Sequence, residues 1–149
     1  MPGDLFHLVT GISPNTNTFT VASPGVTTTS TTQVSTGQGI GLTPKRSGIV
    51  AVWASGYATI GTNGDQGQFT MYWGTGSIPA NNGSLSGFTE FGNLSAGTSA
   101  AANQPFPFSF VGMVSGLTLG TIYNFVLAYA SLQGGTLTLS SDSIVVIEM

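Results

Sequence analysis

The sequence predicts an all-β sandwich of about seven to ten strands. Three observations carry that expectation. No stretch of helical length repeats its apolar residues every 3.6 positions, whereas several runs alternate or are apolar throughout, as strands are. These runs are punctuated by Gly, Pro, Asn and Ser clusters of the kind that close turns. The chain also ends on Ile144-Val145-Val146-Ile147-Glu148-Met149 rather than on a polar tail; termini are normally frayed and polar, so this final strand is expected inside a sheet.

The elements follow in order. Residues 1–25 read as a separate N-terminal region, with two apolar clusters, Leu5-Phe6-His7-Leu8-Val9 and Phe19-Thr20-Val21, divided by Ser13-Pro14-Asn15 and closed by Ser23-Pro24-Gly25. They form either an arm or extra hairpin that reaches a partner, or an ordinary edge strand. The domain proper spans residues 26–149. Residues 26–36, rich in Thr and Val, suit a partly covered strand, and residues 38–44 a bend or bulge. Lys45-Arg46-Ser47-Gly48 is a turn. In the strand that follows, Ile49, Ala51, Trp53, Ser55 and Tyr57 oppose Val50, Val52 and Ala54, and Gly56 marks a bulge or close backbone approach.

Residues 61–67 make a loop, and residues 68–74 a strand with Phe69, Met71 and Trp73 on one side. Periodicity then fades from residue 75 to residue 104, where an irregular loop is expected, with at most one helical turn at Ala100-Ala101-Ala102. Residues 106–114 resume a strand whose start Pro105 and Pro107 confine to an edge. Residues 122–129 are apolar on both faces, the mark of a strand buried on both sides. Gln133-Gly134-Gly135 reverses the chain, Leu137 and Leu139 alternate with threonines, and Asp142 in Ser-Ser-Asp-Ser is expected to turn before the last strand.

Composition removes most function classes. Only 5% of the 149 residues are charged, against roughly 25% in ordinary domains, so mixed charge cannot be what covers this surface; much of it is expected to be covered by association. The net charge of −3 comes from Asp4, Asp65, Glu90, Asp142 and Glu148 against Lys45 and Arg46. Two adjacent cations make no phosphate-tracking stripe, and nucleic-acid binding is not expected. Without cysteine there are no disulfides, zinc ribbons or thiol chemistry. The N-terminus lacks a basic, apolar leader and no segment is long enough for a membrane helix, so a soluble product made in the cytosol and no membrane partner are expected.

Catalysis finds little to work with. His7 has only Asp4 nearby in sequence, and the carboxylates are scattered singly. Asp65 lies in an oxygen-rich loop and could contribute to a Ca²⁺ site, or be part of an ordinary Asn-Gly turn. Gly37, Gly39 and Gly41 superficially resemble a phosphate loop, but no helix or Gly-Lys-Ser/Thr follows. Trp53, Tyr57, Tyr72, Trp73, Tyr123 and Tyr129 fit a core or subunit interface better than a sugar-stacking platform. No enzyme, cofactor or metal site is expected.

The succession TTSTTQVSTGQGIGLTPKRSGIVAVWASG, then MYWGTGSIPANNG, then PFSFVGMVSGLTLGTIYNFVLAYASLQGGTLTLSSDSIVVIEM, resembles phage and prophage virion domains with a tumour-necrosis-factor-like or complement-head-like jelly roll. The resemblance runs from about Thr27 to Met149. Its most specific phrases are Thr-Pro-x-x-Ser-Gly ending at Gly48, Tyr-x-Gly-Thr-Gly-x-x-Pro-Ala starting at Tyr72, and Gly-Leu-Thr-x-Gly-Thr-x-Tyr ending at Tyr123. It implies a homotrimer with one sheet of each subunit facing the threefold axis, and by that analogy Tyr123, Phe125, Ile144 and Val146 near the axis. It further implies a capsid decoration, or cement, protein on the outer surface of the head, with the major capsid protein as partner. Leu5, Phe6, His7, Leu8 and Phe19 would then serve attachment. The alternative is the receptor- or carbohydrate-binding tip of a tail fibre or baseplate, gripping glycans through the 75–104 loops; the absence of a preceding shaft speaks against it.

Overall fold

The computed structural model describes residues 15–21, 25–98 and 101–149. Nine strands, and no helix among the described residues, form two antiparallel sheets: β1 (Thr16–Val21), β2 (Val26–Thr28), β3 (Val34–Leu42), β4 (Val50–Ile60), β5 (Gln66–Gly74), β6 (Thr89–Thr98), β7 (Phe106–Val114), β8 (Tyr123–Ser131) and β9 (Leu137–Glu148). One sheet runs β1-β9-β4-β7 with β2 also paired to β9, and the other β3-β8-β5-β6. From β2 onward the chain changes sheet at every connection except β5 to β6, giving a jelly-roll-like sandwich.

The closing strand lies between β1 and β4, inside the sheet as its sequence demands. It is one strand, not two with a turn at Asp142. Its pairing with β4 jumps from Tyr57–Ser141 to Ala58–Leu139, so Ser140 is an extra residue in a β-bulge. A bulge shifts the side-chain alternation by one. Leu137 and Leu139 point inward before it, and Asp142, Ile144 and Val146 after it. A turn and a bulge both break alternation, which is why the sequence reads as the former.

Facing side chains of the two sheets fill the space between them. Phe69 of β5 stacks on Phe108 of β7 with ring centroids 4.1 Å apart, and Phe91 meets Phe110 edge-on at 5.6 Å. Strand β8 is buried on both faces. Tyr123, Phe125, Leu127 and Tyr129 enter the core, and Val126, Ala128 and Ala130 are buried on the outer side. Part of that outer side is covered by the 75–88 segment. A side chain at Gly39 would lie 3.1 Å from Ile78 Cδ1 and 3.3 Å from Val126 Cα, which places Ile78 over this face. The segment is tied to edge strand β3 by Ser35 N–H to Gly83 O and Asn82 N–H to Ser35 O. It is followed by β6, which the sequence reading missed because Thr89–Thr98 alternates weakly.

Residues 26–36 are two strands in different sheets, β2 and β3, separated where Ser30 and Thr32 bond locally. Thr16–Val21 is an edge strand paired to β9. Residues 1–14, with Leu5, Phe6, His7 and Leu8, lie outside the described residues, as does the side chain of Phe19.

Candidate interaction surface

Because paired strands place partners on the same face, the register of the β1-β9-β4-β7 sheet defines its outer surface row by row. One row is Thr16, Ile147, Ala51 and Met113; the next is Thr18, Val145, Trp53 and Val111; then come Thr20, Ser143, Ser55 and Ser109, and finally Ser141, Tyr57 and Pro107. None of these positions is charged. Met113 and Val111 are 62% and 65% exposed, and Trp53 and Tyr57 40% and 44%. A rigid sheet thus presents two aliphatic and two aromatic side chains, flanked by hydroxyls, on one face. Exposed apolar side chains gathered on one uncharged face make it the candidate interaction surface.

The four side chains expected near a threefold axis belong to the core of the chain itself. Phe125, Ile144 and Val146 are fully buried and Tyr123 nearly so, all within the core of a single chain. Tyr123 and Phe125 belong to β8 of the other sheet, and Ile144 and Val146 point inward from β9. Their neighbours Val145 and Ile147 reach the outer face instead. The signal was in the sequence, since Ile144-Val145-Val146-Ile147 is apolar at both parities, but it does not say which parity is inside. Of the six aromatics, Trp53 and Tyr57 are exposed, Trp73 packs against the core at 5.6 Å from Tyr123, and Tyr72 is half-buried with its hydroxyl near Glu90.

The described carboxylates act as fasteners or stand alone. Glu148 accepts the backbone N–H of Lys45, Arg46 and Ser47 and the Asn15 amide, at 2.6–3.0 Å. Burial alone would raise its pKa; these donors outweigh burial and hold it at about 2. Asp65 is buried and accepts Ser131 Oγ–H and the N–H of Gln66, Gln133 and Gly135. These bonds overcome its desolvation and keep it below the usual range. With both oxygens already facing donors, Asp65 is a loop fastener rather than a cation ligand. No group of three or more His, Cys, Asp or Glu side chains that could hold a metal occurs among the described residues. Asp142 differs: it is 2% exposed, neither carboxylate oxygen has a partner, and burial pushes its pKa up to about 6.

Two open grooves flank the sandwich. One, of about 440 Å³, is lined by Thr27, Thr28, Thr29, Ser30, Val34 and Asn82. The other, of about 320 Å³, lies between β1 and β3 beside Asn15, Asn17, Lys45 and Ile122. Neither holds an aromatic platform or a nucleophile with its base.

No family model and no curated protein matches the chain. Several solved structures are similar to it at low scores. The C-terminal CBM6 of LamC, a marine laminarinase from Zobellia galactanivorans, is 16% identical over 86% of this chain and 98% of its own, with a TM-score of 0.41. A structure of infectious bursal disease virus, Gx strain, is 16% identical over 91% of this chain and 32% of its own, with a TM-score of 0.45. The CBM22-1 xylan-binding domain from Paenibacillus barcinonensis Xyn10C is 12% identical over 92% of this chain and 86% of its own, with a TM-score of 0.43.

Proposed function

We propose that the chain is a non-catalytic structural protein of a phage particle: a homotrimeric capsid decoration protein whose subunits meet through the outer face of the β1-β9-β4-β7 sheet, in the tumour-necrosis-factor-like manner. The observation that carries this reading is the uncharged face bearing Trp53, Tyr57, Val111 and Met113. Permanent interfaces are large and apolar, resembling a core cut in half, and fully burying each such side chain contributes about 1.5–3 kcal/mol. A chain with so few charges gains solubility by covering that face with copies of itself. Bound across neighbouring capsid subunits, such a trimer stabilises the shell by mass action, because its sites are lost when the subunits separate.

A second reading rests on the same two aromatics. Trp53 and Tyr57 lie on one face of β4, four residues or roughly 13 Å apart, and exposed flat rings suit sugar stacking at the tip of a tail fibre or baseplate.

The test is the mass of the purified protein in solution, for the wild type and Val111→Asp, followed by sedimentation with undecorated heads. A wild-type trimer that co-sediments, and a Val111→Asp monomer, are expected. A monomeric wild type refutes the trimer, and a trimeric Val111→Asp refutes this face. Glycan-array binding by a protein whose sheet face is free, either a monomer or a trimer that Val111→Asp leaves intact, and that does not sediment with heads, transfers the function to the tail-tip reading.

A further inference from the structure

We infer that the end of the sandwich carrying Lys45 is the surface that docks on the shell, and that it fits a protein patch of apolar side chains rimmed by carboxylates. The inference rests on the decoration reading and specifies which surface performs it.

The exposed large apolar side chains of the described residues fall almost entirely into two groups. Trp53, Tyr57, Val111 and Met113 occupy the sheet face. Leu119, Ile122 and Met149, exposed by 51%, 55% and 63%, gather at one end, with only Leu132 at the other. Backbone bonds hold that end together. Leu117 N–H donates to Gly48 O, Gly120 N–H to Pro44 O, and Met149 N–H to Ile49 O. The loop after β7 and the chain terminus are thereby fastened to the turn at residues 43–48.

Both cations of the whole sequence sit on that turn and are exposed. Glu148 lies beside them and takes one side-chain donor from outside the turn, the Asn15 amide. It accepts the turn's backbone N–H groups, fixing Lys45 and Arg46 at the surface. Lys45 and Ile122 also line one groove, so charge and apolar surface are contiguous. The opposite end, formed by Thr62, Asn63, Gly64 and Gln133, carries no cation, and its carboxylate, Asp65, is buried.

Cyclic symmetry multiplies this arrangement. With the sheet face spent on the other subunits, the rotation axis brings three Lys45 ends to the same side of the trimer. Three weak sites on one rigid base bind a lattice far more tightly than one does. Charge at the rim of such a contact governs encounter and salt sensitivity, while the apolar centre governs retention.

The test compares wild type, Lys45→Glu/Arg46→Glu, Leu119→Ser/Ile122→Ser and the control Leu132→Ser for mass in solution, thermal melting and co-sedimentation with undecorated heads. All four are expected to remain folded trimers. The charge-reversal and apolar-end variants attach at least about tenfold more weakly, and Leu132→Ser attaches as wild type. Wild-type attachment weakens as salt rises from about 0.05 to about 0.5 M. Equal attachment by the charge-reversal and apolar-end trimers, or loss of attachment by Leu132→Ser, overturns the docking surface while leaving decoration intact. A wild-type trimer that fails to sediment with heads removes the decoration reading, and this surface with it.

Discussion

Replacing Asp142 by Asn should make this protein more stable at neutral pH. The carboxylate points into the sandwich from central strand β9, opposite Gly56 of β4 and Val21 of β1, with both oxygens unpartnered. Nothing ionisable on the strands packed against β9 can compensate it: β1, β2 and β3 contain no ionisable side chain, and β4 contains only Tyr57, which faces outward. Burial lifts the folded-state pKa from 3.8 to about 6. A carboxyl with a raised folded pKa costs nothing when protonated in both states, below about pH 4. Its cost grows as pH rises and is complete above about pH 6. The gap of about 2 pH units corresponds to roughly 3 kcal/mol. Asn has nearly the same shape and never charges, so urea unfolding at fixed protein concentration should show the two proteins close together at about pH 4, with the variant ahead by about 2–3 kcal/mol at about pH 7.5. A difference that stays constant across that range would refute the reasoning, because it would mean that the carboxylate ionises as readily folded as unfolded.

Two further substitutions probe the fasteners. Glu148→Gln leaves the N–H groups of Lys45, Arg46 and Ser47 facing a neutral amide and should cost about 1.5–3 kcal/mol near neutrality; because the Glu148 pKa is depressed to about 2, its stabilisation is present above 4.5 and fades as pH falls, so the penalty of the variant should shrink in urea melts at about pH 2.5. Gly48→Ala should destabilise by about 2 kcal/mol or more, since Gly48 has φ +64° and an added Cβ would collide with the backbone oxygen of Leu117, and a melting temperature equal to wild type would contradict that close approach.

Much of the architecture was legible in local pattern. The alternation of Val50, Val52 and Ala54 against Ala51 and Trp53, the two-sided apolar run of β8, and the prolines of edge strand β7 each stated an element and its environment. Thr89–Thr98 was not legible, because a strand held by its partner β5 requires little alternation of its own. The anchoring partners of Glu148 and Asp65 were also hidden. Apart from the adjacent Gln66, they come from residues 101–133 and 66–70 positions away, brought close only by folding.

By itself the sequence determined an all-β chain with a buried C-terminal strand and few charges. These follow from composition and from a side-chain period of two, which any strand displays wherever it lies. Only the tertiary structure decided which parity faces inward. An extra residue at Ser140 moves Ile144 and Val146 into the core and Val145 and Ile147 onto the outer face. Alternation is symmetric between a strand's two faces; bulges, register and the neighbouring sheet break that symmetry, and with it decide which apolar side chains make the core and which are left to meet a partner.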